Sequence, residues 1–566
     1  MMSRKPVSPR DFVPRFFELF SPDKQKRYTP AAFGKDLIAG VTVGVVALPL
    51  AMAFSIAAGG TPVQGLYTAI FAGFFISLLG GSRCQIGGPT GAFVVIIFAI
   101  ITRQGMAGLI AATVLAGVML IIMGLTGIGR FIKFIPYPVT TGFTAGIGLL
   151  IFSQQIKDFF GMASAASSPE FLAMWAGYCR AFSTIQPATA AVGAGTIAVI
   201  LLVRRFAPRV PAAVAAVAAA TAAAWLLGLP VDTIGARFGE IPRTLPLPAL
   251  PVFDFSRMGE LLRDSFAIAM LAAIESLLSA VVADGMTGDR HNANMELVAE
   301  GIGNIASGLF GGIPATGAIA RTATNIKAGA VSPVAGMVHA VTLLLFILFL
   351  APLAGAIPLA SLSAVLIVVA WDMSGLKRCI GIIRRSPKSD ALVLVISFAL
   401  TVMVDLTFAV EAGVVMAAFL FVRRMVEVTD IRSGAKTAGT EILYGAPPEP
   451  DRMPAARKGV EIYEITGPFF FGVADSLRHI LRNVAEHPRV FILRMKDVPA
   501  VDSTGISALE SFYESCVREK TRLILSEIRD QPRRALEKAG LLAALAPGGV
   551  QPTLEDALRE AEREAP

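Results

Sequence analysis

Glu275 lies in Ala-Ile-Glu-Ser-Leu-Leu-Ser-Ala, well inside an apolar run over 261–283. A carboxylate at the centre of such a helix costs about 2.5–3.5 kcal/mol or more unless it is paired, hydrated or protonated. A functional site is the default reading, and a structural hydrogen bond to a neighbouring helix is the alternative. Arg321 follows four residues after Gly317, in a short segment opened by Gly311-Gly312-Ile313-Pro314-Ala315-Thr316-Gly317-Ala318. A related turn, Gly87-Gly88-Pro89-Thr90-Gly91-Ala92, opens another short segment. Turns of this kind leave backbone N–H groups free at a helix start, where the positive end of the helix dipole adds to them. Such a place attracts anions. Arg321 would supply a fixed positive charge there, or pair with Glu275, and an ion pair of that sort can be opened by a substrate.

These residues must be positioned by helices that cross a membrane. The 566 residues are 54% hydrophobic and 16% charged, against about 25% charged in a soluble protein, and the mean hydropathy is positive. A crossing helix needs about 20 mostly apolar residues. The candidates are 38–58, 63–80, 92–101, 109–127, 139–156, 188–203, 212–229, 261–283, 297–310, 317–326, 334–353, 356–370, 390–404 and 407–422. Fourteen is even, so both termini share one side. Arg130 and Lys133, Arg204 and Arg205, Arg384 and Arg385, and Arg423 and Arg424 fall on that same side, which the positive-inside rule makes the cytoplasm. The two Gly-rich turns open the third and tenth stretches. They occupy equivalent places in two seven-span halves, which run in opposite directions because seven is odd, so the pattern is an inverted repeat with half-helices meeting at mid-membrane. One such turn alone would read as a kink or a close packing site; the matched pair argues for the ion site.

The rest of the chain adds bounds. The net charge of +8 sits in short clusters between apolar runs, which fits membrane orientation and argues against nucleic acid. Cys84, Cys179, Cys379 and Cys516 show no CxxC spacing and read as buried small hydrophobes, so no metal or other cofactor is expected. Asp284, Asp289, Arg290 and His291 read as a solvated loop, and His339 as a packed, hydrogen-bonded core residue. The Pro-rich, basic start reads as a cytoplasmic leader over 1–36 rather than a cleaved signal. The transport part covers 37–424, a linker 425–458, and a small α/β domain 459–566. In that last part, strands over 460–465 and 490–495 are each followed by a helical stretch, 473–484 and 506–518, and 522–526 with 533–539 repeats the theme. Between strand and helix stands Val501-Asp502-Ser503-Thr504-Gly505, a helix cap or, at Ser503, a regulatory phosphorylation site. No nucleophile with a matching base is visible, so an enzyme is not expected.

The chain resembles the sulfate permease (SulP) family, the bacterial relatives of solute carrier family 26. The resemblance rests on Leu48-Pro49-Leu50-Ala51-Met52-Ala53-Phe54, Gly65-Leu66-Tyr67, the Gly-Gly-Pro-Thr-Gly-Ala turn, the Glu275 segment and Ala320-Arg321-Thr322. The end of the chain resembles a STAS domain through Val501-Asp502-Ser503-Thr504-Gly505. This implies fourteen transmembrane segments as a seven-plus-seven inverted repeat in core and gate domains, an elevator-like motion, a homodimer, and a cytoplasmic STAS domain that a cytoplasmic protein can bind. The implied place is the inner membrane with both termini cytoplasmic. Substrates in the family include sulfate, bicarbonate, chloride, oxalate and C4-dicarboxylates. By similarity the substrate site uses Phe54, Thr90, Gly91, Ala92, Thr316, Gly317, Ala318 and Arg321, with Glu275 coupling a proton. Many members have Gln and Tyr where this chain has Leu50 and Phe54. Sodium-coupled bicarbonate members favour Asp where Glu275 stands, and the longer carboxylate points to a proton. The alternatives are sodium-coupled bicarbonate symport, an anion exchanger or channel, and a STAS-linked sensor.

Overall fold

The apolar stretches become helices whose ends follow local chemistry. In the computed structural model, which describes residues 12–20, 28–129, 137–163, 171–208, 210–404, 430–433, 459–470, 488–545 and 547–564 with isolated helical residues between 408 and 420, α1 spans Pro30–Ala57. Its first turn is capped by the Thr29 hydroxyl, which accepts from the Ala32 N–H, with Pro30 at the first helical position. Pro suits that place because its missing N–H would be unpaired there anyway. The second helix, α2, spans Pro62–Leu79 and opens with a capping box between Thr61 and Gln64. Further on come α3, Ala92–Leu125; α4, Tyr137–Phe160; α5, Phe171–Arg180; α6, Pro187–Phe206; α7, Ala212–Leu226; and α8, Ile234–Phe238. The second half gives α9, Met258–Thr287; α10, Ala293–Leu309; α11, Ile319–Lys327; α12, Val334–Gly355; α13, Leu359–Ser374; α14, Leu376–Arg385; and α15, Lys388–Met403.

Thirteen of the fourteen apolar stretches coincide with these helices; the last, 407–422, lies mostly outside the described residues, as do Arg130, Lys133, Arg423 and Arg424. Among the described residues eight helices are long and apolar enough to cross a membrane. The shorter ones have stated causes. Continuous helix across α3 is broken at Gly105, whose φ of 69° only glycine adopts readily, so 92–104 is a separate half-helix of about 20 Å, too short for a hydrocarbon core of about 30 Å. On the other side α11 is shorter still. Arg384 and Arg385 end the separate helix α14, set off by Gly375 in the left-handed conformation, rather than the membrane stretch itself.

The helices pack as two groups. One holds α1, α2, α3, α9, α10, α11 and α12; the other holds α4, α6, α7, α13 and α15. Close approach in the first group is made by glycines, as is usual where lipid supplies no hydrophobic drive between helices. A Cβ on Gly117 would stand 2.6 Å from the Gly301 carbonyl oxygen, and one on Gly301 2.5 Å from that of Gly117. Just outside the helices, Arg15 pairs with Glu18 at 2.7 Å, and Arg83 bridges Glu18 and Asp289 at 3.1 Å each. Within the membrane part His339 is fully buried but neither ring nitrogen has a hydrogen-bond partner, so it is packed without the expected bond. Cys84 and Cys379 are buried as expected, whereas Cys179 is exposed.

A second compact unit holds Ala418–Pro566. Its sheet runs in the order β3, Asp430–Ser433; β4, Val460–Thr466; β5, Val490–Asp497; β6, Arg522–Ser526; and β7, Val550–Gln551. The β3 strand is antiparallel to β4, and the others are parallel. Alternation along β5 splits the core: Phe491, Leu493 and Met495 pack with α16, Ser503–Arg518, and α17, Asp530–Lys538, which the short α18, Leu541–Ala544, follows, while Val490 and Ile492 face α19, Leu554–Glu564. Burial pushes the Cys516 thiol up to about 12, with Glu519 adding to the shift, so this thiol remains an inert part of that core. The expected helix over 473–484 and the linker 425–458 fall mainly outside the described residues, and β7 and α19 were not legible as elements beforehand.

Replacing Gly117 by Val should lower stability by about 1–3 kcal/mol through overpacking against Gly301, read as a lower unfolding midpoint of the detergent-purified protein; an unchanged midpoint would show that these helices have room to separate.

Candidate functional site

The two Gly-rich turns meet. The short strand β1, Gly87–Gly88, pairs antiparallel with β2, Thr316–Gly317, with Gly87 opposite Gly317 and Gly88 opposite Thr316. The Ala318 N–H also donates to the Ile86 carbonyl at 2.8 Å. Unpaired peptide groups in a membrane cost several kcal/mol each, so two extended segments that satisfy one another are the condition for interrupting both helices at that depth. From this ladder 92–104 and α11 depart as half-helices. Gly91 is the N-cap of the first and Ala318 of the second, so α11 begins two residues later than the apolar pattern implied.

The amides of Gly91 and Ala92, and those of Ile319 and Ala320, find no acceptor among the described residues. Amides so placed at a helix start can donate to an anion. Other expected participants are occupied. The Thr316 hydroxyl donates to the Ala272 carbonyl at 3.0 Å, and Gly317 lies beneath the Gln85 amide, where a Cβ would meet Nε2 at 2.0 Å. At Gly91 an added Cβ would stand 3.0 Å from Met373 Sδ, 3.1 Å from Ile151 Cδ1 and 3.2 Å from Phe54 Cε1. Phe54 comes from α1, Ile151 from α4 and Met373 from α13, so the first half-helix start sits where the two helix groups face each other.

The charged residues divide. Arg321 is 3% exposed and folds back under the first turn: its Nη2 donates to the Pro89 carbonyl, and its Nη1 has no partner. Gly88, at φ 147°, gives way to it, since a Cβ there would lie 2.7 Å from Nη1. Glu275 does not pair with Arg321; its Oε2 accepts from the Thr90 hydroxyl at 3.0 Å. Of the expected site, Phe54, Thr90, Gly91, Ala92, Gly317, Ala318, Arg321 and Glu275 therefore gather around the paired turns, while Thr316 braces the scaffold.

Sequence reasoning missed the layer behind. Gln85 Nε2 donates to the Ser276 hydroxyl at 2.7 Å, which donates to Glu300 Oε2 at 2.9 Å. Glu296 Oε2 accepts the Gly81 and Ser82 N–H groups at 2.8 and 2.9 Å, and Asn304 brackets Ala315 through both its N–H and its carbonyl. Glu296, Glu300 and Asn304 recur every fourth residue on α10, one face of the helix. That spacing was the available signal. Their partners come from both halves of the chain.

Residues 33–397 match the sulfate permease family, and residues 453–557 match the STAS domain. The chain belongs to the sulfate permease family. YvdB of Bacillus subtilis, a proposed sulfate transporter, is 43% identical over 522 residues, covering 91% of this chain and 95% of that protein. The bicarbonate transporter BicA of Picosynechococcus is 32% identical over 539 residues, covering 93% and 94%. The transmembrane domain of a cyanobacterial BicA aligns with a TM-score of 0.60 at 33% identity, over 69% of this chain and 98% of that one. Murine solute carrier 26 family member A9, at 19% identity, shares the fold with a TM-score of 0.86 over 100% and 96%. As a sulfate permease the chain is a multi-pass membrane protein with many apolar helices, it shares the fold of solute carrier family 26 structures, and a STAS domain follows. In the STAS domain Asp502, not Ser503, is the N-cap of α16, accepting from the Gly505 N–H at 2.8 Å. Ser503 and Thr504 are exposed beside it.

Gly91→Leu and Gly317→Leu should each abolish anion uptake while the protein still inserts and purifies as folded material, because each side chain would occupy the space where backbone meets anion or Gln85. Radiolabelled uptake into proteoliposomes reads this directly; uptake at the wild-type rate by either folded variant would remove the half-helix starts from the pathway.

Proposed function

We propose that this sulfate permease is a proton-coupled carrier of small oxyanions, of the sulfate and bicarbonate class, across the inner membrane with both termini in the cytoplasm. The observation that carries the reading is the Thr90–Glu275 hydrogen bond, 3.0 Å long, which ties a membrane carboxyl to the start of one of two facing half-helices. The free amides at those starts and the cationic Arg321 receive the anion. Glu275 then stands beside it, and two negative charges there repel. A proton on Glu275 removes that repulsion and the cost of moving a charge through a low-dielectric site. The core group, loaded and nearer neutrality, moves against the gate group as an elevator. The names of the relatives support the substrate class: sulfate for YvdB and bicarbonate for BicA. Sodium coupling is the second reading, favoured by the 32% identity to bicarbonate transporters, although a hard cation calls for several oxygen ligands and Glu275 is engaged by a single hydroxyl.

Uptake of sulfate should rise as the external pH falls, since protonated Glu275 is the form that accompanies the anion. Glu275→Gln imitates that form and should bind sulfate yet lose accumulation driven by an imposed pH gradient. Arg321→Ala should weaken sulfate affinity about 10–100-fold, the loss of one charged hydrogen-bonding group. Proteoliposome uptake with and without sodium, alongside equilibrium sulfate binding, separates these outcomes. Uptake that needs sodium and ignores pH would favour the sodium-coupled carrier instead.

A further inference from the structure

Behind the anion site, two side chains connect a second carboxyl to the meeting point of the half-helices. Glu300, on α10, is completely buried, and its Oε2 accepts from the Ser276 hydroxyl at 2.9 Å. Ser276 in turn accepts from Gln85 Nε2 at 2.7 Å, and the Gln85 amide lies directly over Gly317 in the β2 strand. Two buried oxygens along this chain have no partner, Oε1 of Glu300 and Oε1 of Gln85. Gln85 is itself only 3% exposed.

The charges around Glu300 are one-sided. Its own helix contributes Glu296, one turn away and also fully buried. From α9 comes Glu275, whose Oε2 accepts from the Thr90 hydroxyl. The α2 helix carries no charged side chain, and its Tyr67 hydroxyl donates to the Thr244 carbonyl at 3.3 Å. Arg103, the cation of α3, is bound to Asp264 at 2.9 Å. No ion pair to Glu300 is present among the described residues. A buried carboxylate balanced by one hydroxyl, with the carboxyls of Glu296 and Glu275 on the helices around it, is held in an unfavourable charge state.

We propose that Glu300 is a second proton-binding carboxyl of the transport cycle, its charge felt at the half-helix junction through Ser276 and Gln85. The inference rests on the reading of the chain as a proton-coupled carrier and adds a second proton position to it. One proton from water bonds to the free Oε1; no protein bond breaks, and release returns the proton to water. As an anion, Glu300 is a strong acceptor that holds Ser276 and Gln85 in line and places negative charge behind the start of α11. As a neutral acid it withdraws that charge, so sulfate binds more tightly. By linkage, sulfate binding must draw the proton in by the same factor.

Glu300→Gln is the decisive variant, because its amide oxygen still accepts from Ser276 at similar volume but cannot titrate. A purely structural Glu300 would leave every proton measurement unchanged in that variant. The first readout is infrared difference spectroscopy of purified wild-type and Glu300→Gln proteins as pH is lowered from about 8 to about 5. Carbonyl-stretch absorbance of protonated carboxyls should grow in the wild type, and Glu300→Gln should lose one component of it that Glu275→Gln retains; an unchanged band in Glu300→Gln, or its absence in the wild type, overturns the inference. The second is proton uptake on adding sulfate to weakly buffered protein. Glu300→Gln should take up about one fewer proton per sulfate than wild type, and equal uptake overturns the inference. Glu275→Gln run alongside keeps the two assignments apart. Loss in Glu275→Gln alone leaves proton coupling standing and removes Glu300, whereas loss in Glu300→Gln alone keeps Glu300 and removes Glu275.

Discussion

The four-residue antiparallel ladder between Gly87–Gly88 and Thr316–Gly317 is the contact on which the membrane unit depends. Hydrocarbon offers no partner to a peptide group, so a helix cannot simply stop halfway across. Here two helices stop together, and the extended segments leading into each pair with one another. Everything near the site follows from that arrangement: the free amides at Gly91, Ala92, Ile319 and Ala320 exist because the ladder allows helices to start there. The same crowding explains why glycine recurs. At Gly317 any side chain would displace Gln85, and at Gly88 it would strike the guanidinium of Arg321.

Around the ladder, polar groups are distributed in an order that separates holding from reacting. Thr68, on α2, accepts from the Ile313 N–H at 2.7 Å, Thr322 accepts from the Ile86 N–H at 3.0 Å, and Asn325 donates to the Cys84 carbonyl at 2.9 Å. Each joins one half of the chain to the crossing loop of the other. These bonds are the scaffold; each such buried bond is modest in net worth but costly to leave unmade. Among the described residues, the buried groups left unpaired close to the ladder include the half-helix amides, Arg321 Nη1 and oxygens of Gln85, Glu296 and Glu300. Those groups stand where a charged ligand or a proton can satisfy them.

Much of this was legible in the residues. Hydrophobic length marked the helices, and the paired Gly/Pro-Thr-Gly-Ala turns marked the half-helices, because both signals are local. Glu275 stood out for the same reason, as a charge within an apolar run. What was not legible depended on distance along the chain. Nothing in the order of residues says that Arg321 turns back to Pro89 instead of meeting Glu275, since the choice is made by the geometry of the ladder. Glu300 lay inside a stretch read as apolar and was passed over; its spacing from Glu296 and Asn304 was visible, but its importance comes from Ser276 and Gln85, which approach from elsewhere. The break at Gly105 was legible as the gap between the stretches 92–101 and 109–127, and only its left-handed φ of 69° was not. In the STAS domain the alternation of β5 was readable, whereas β7, with two residues, was too short to carry a period.

The ladder also has a consequence for how the protein is made. Its two strands are separated by more than half of the transport part of the chain, and ribosomes deliver residues in order. Until Thr316 and Gly317 have emerged, the first half-helix has no partner for the turn that precedes it, and the peptide groups of Gly87 and Gly88 must be met by something other than their final contacts. Closing so long a loop is entropically costly and late. The half-helix junction is thus among the final features of the nascent protein to assemble, and any product that terminates before α11 lacks it, left for membrane quality control to recognise.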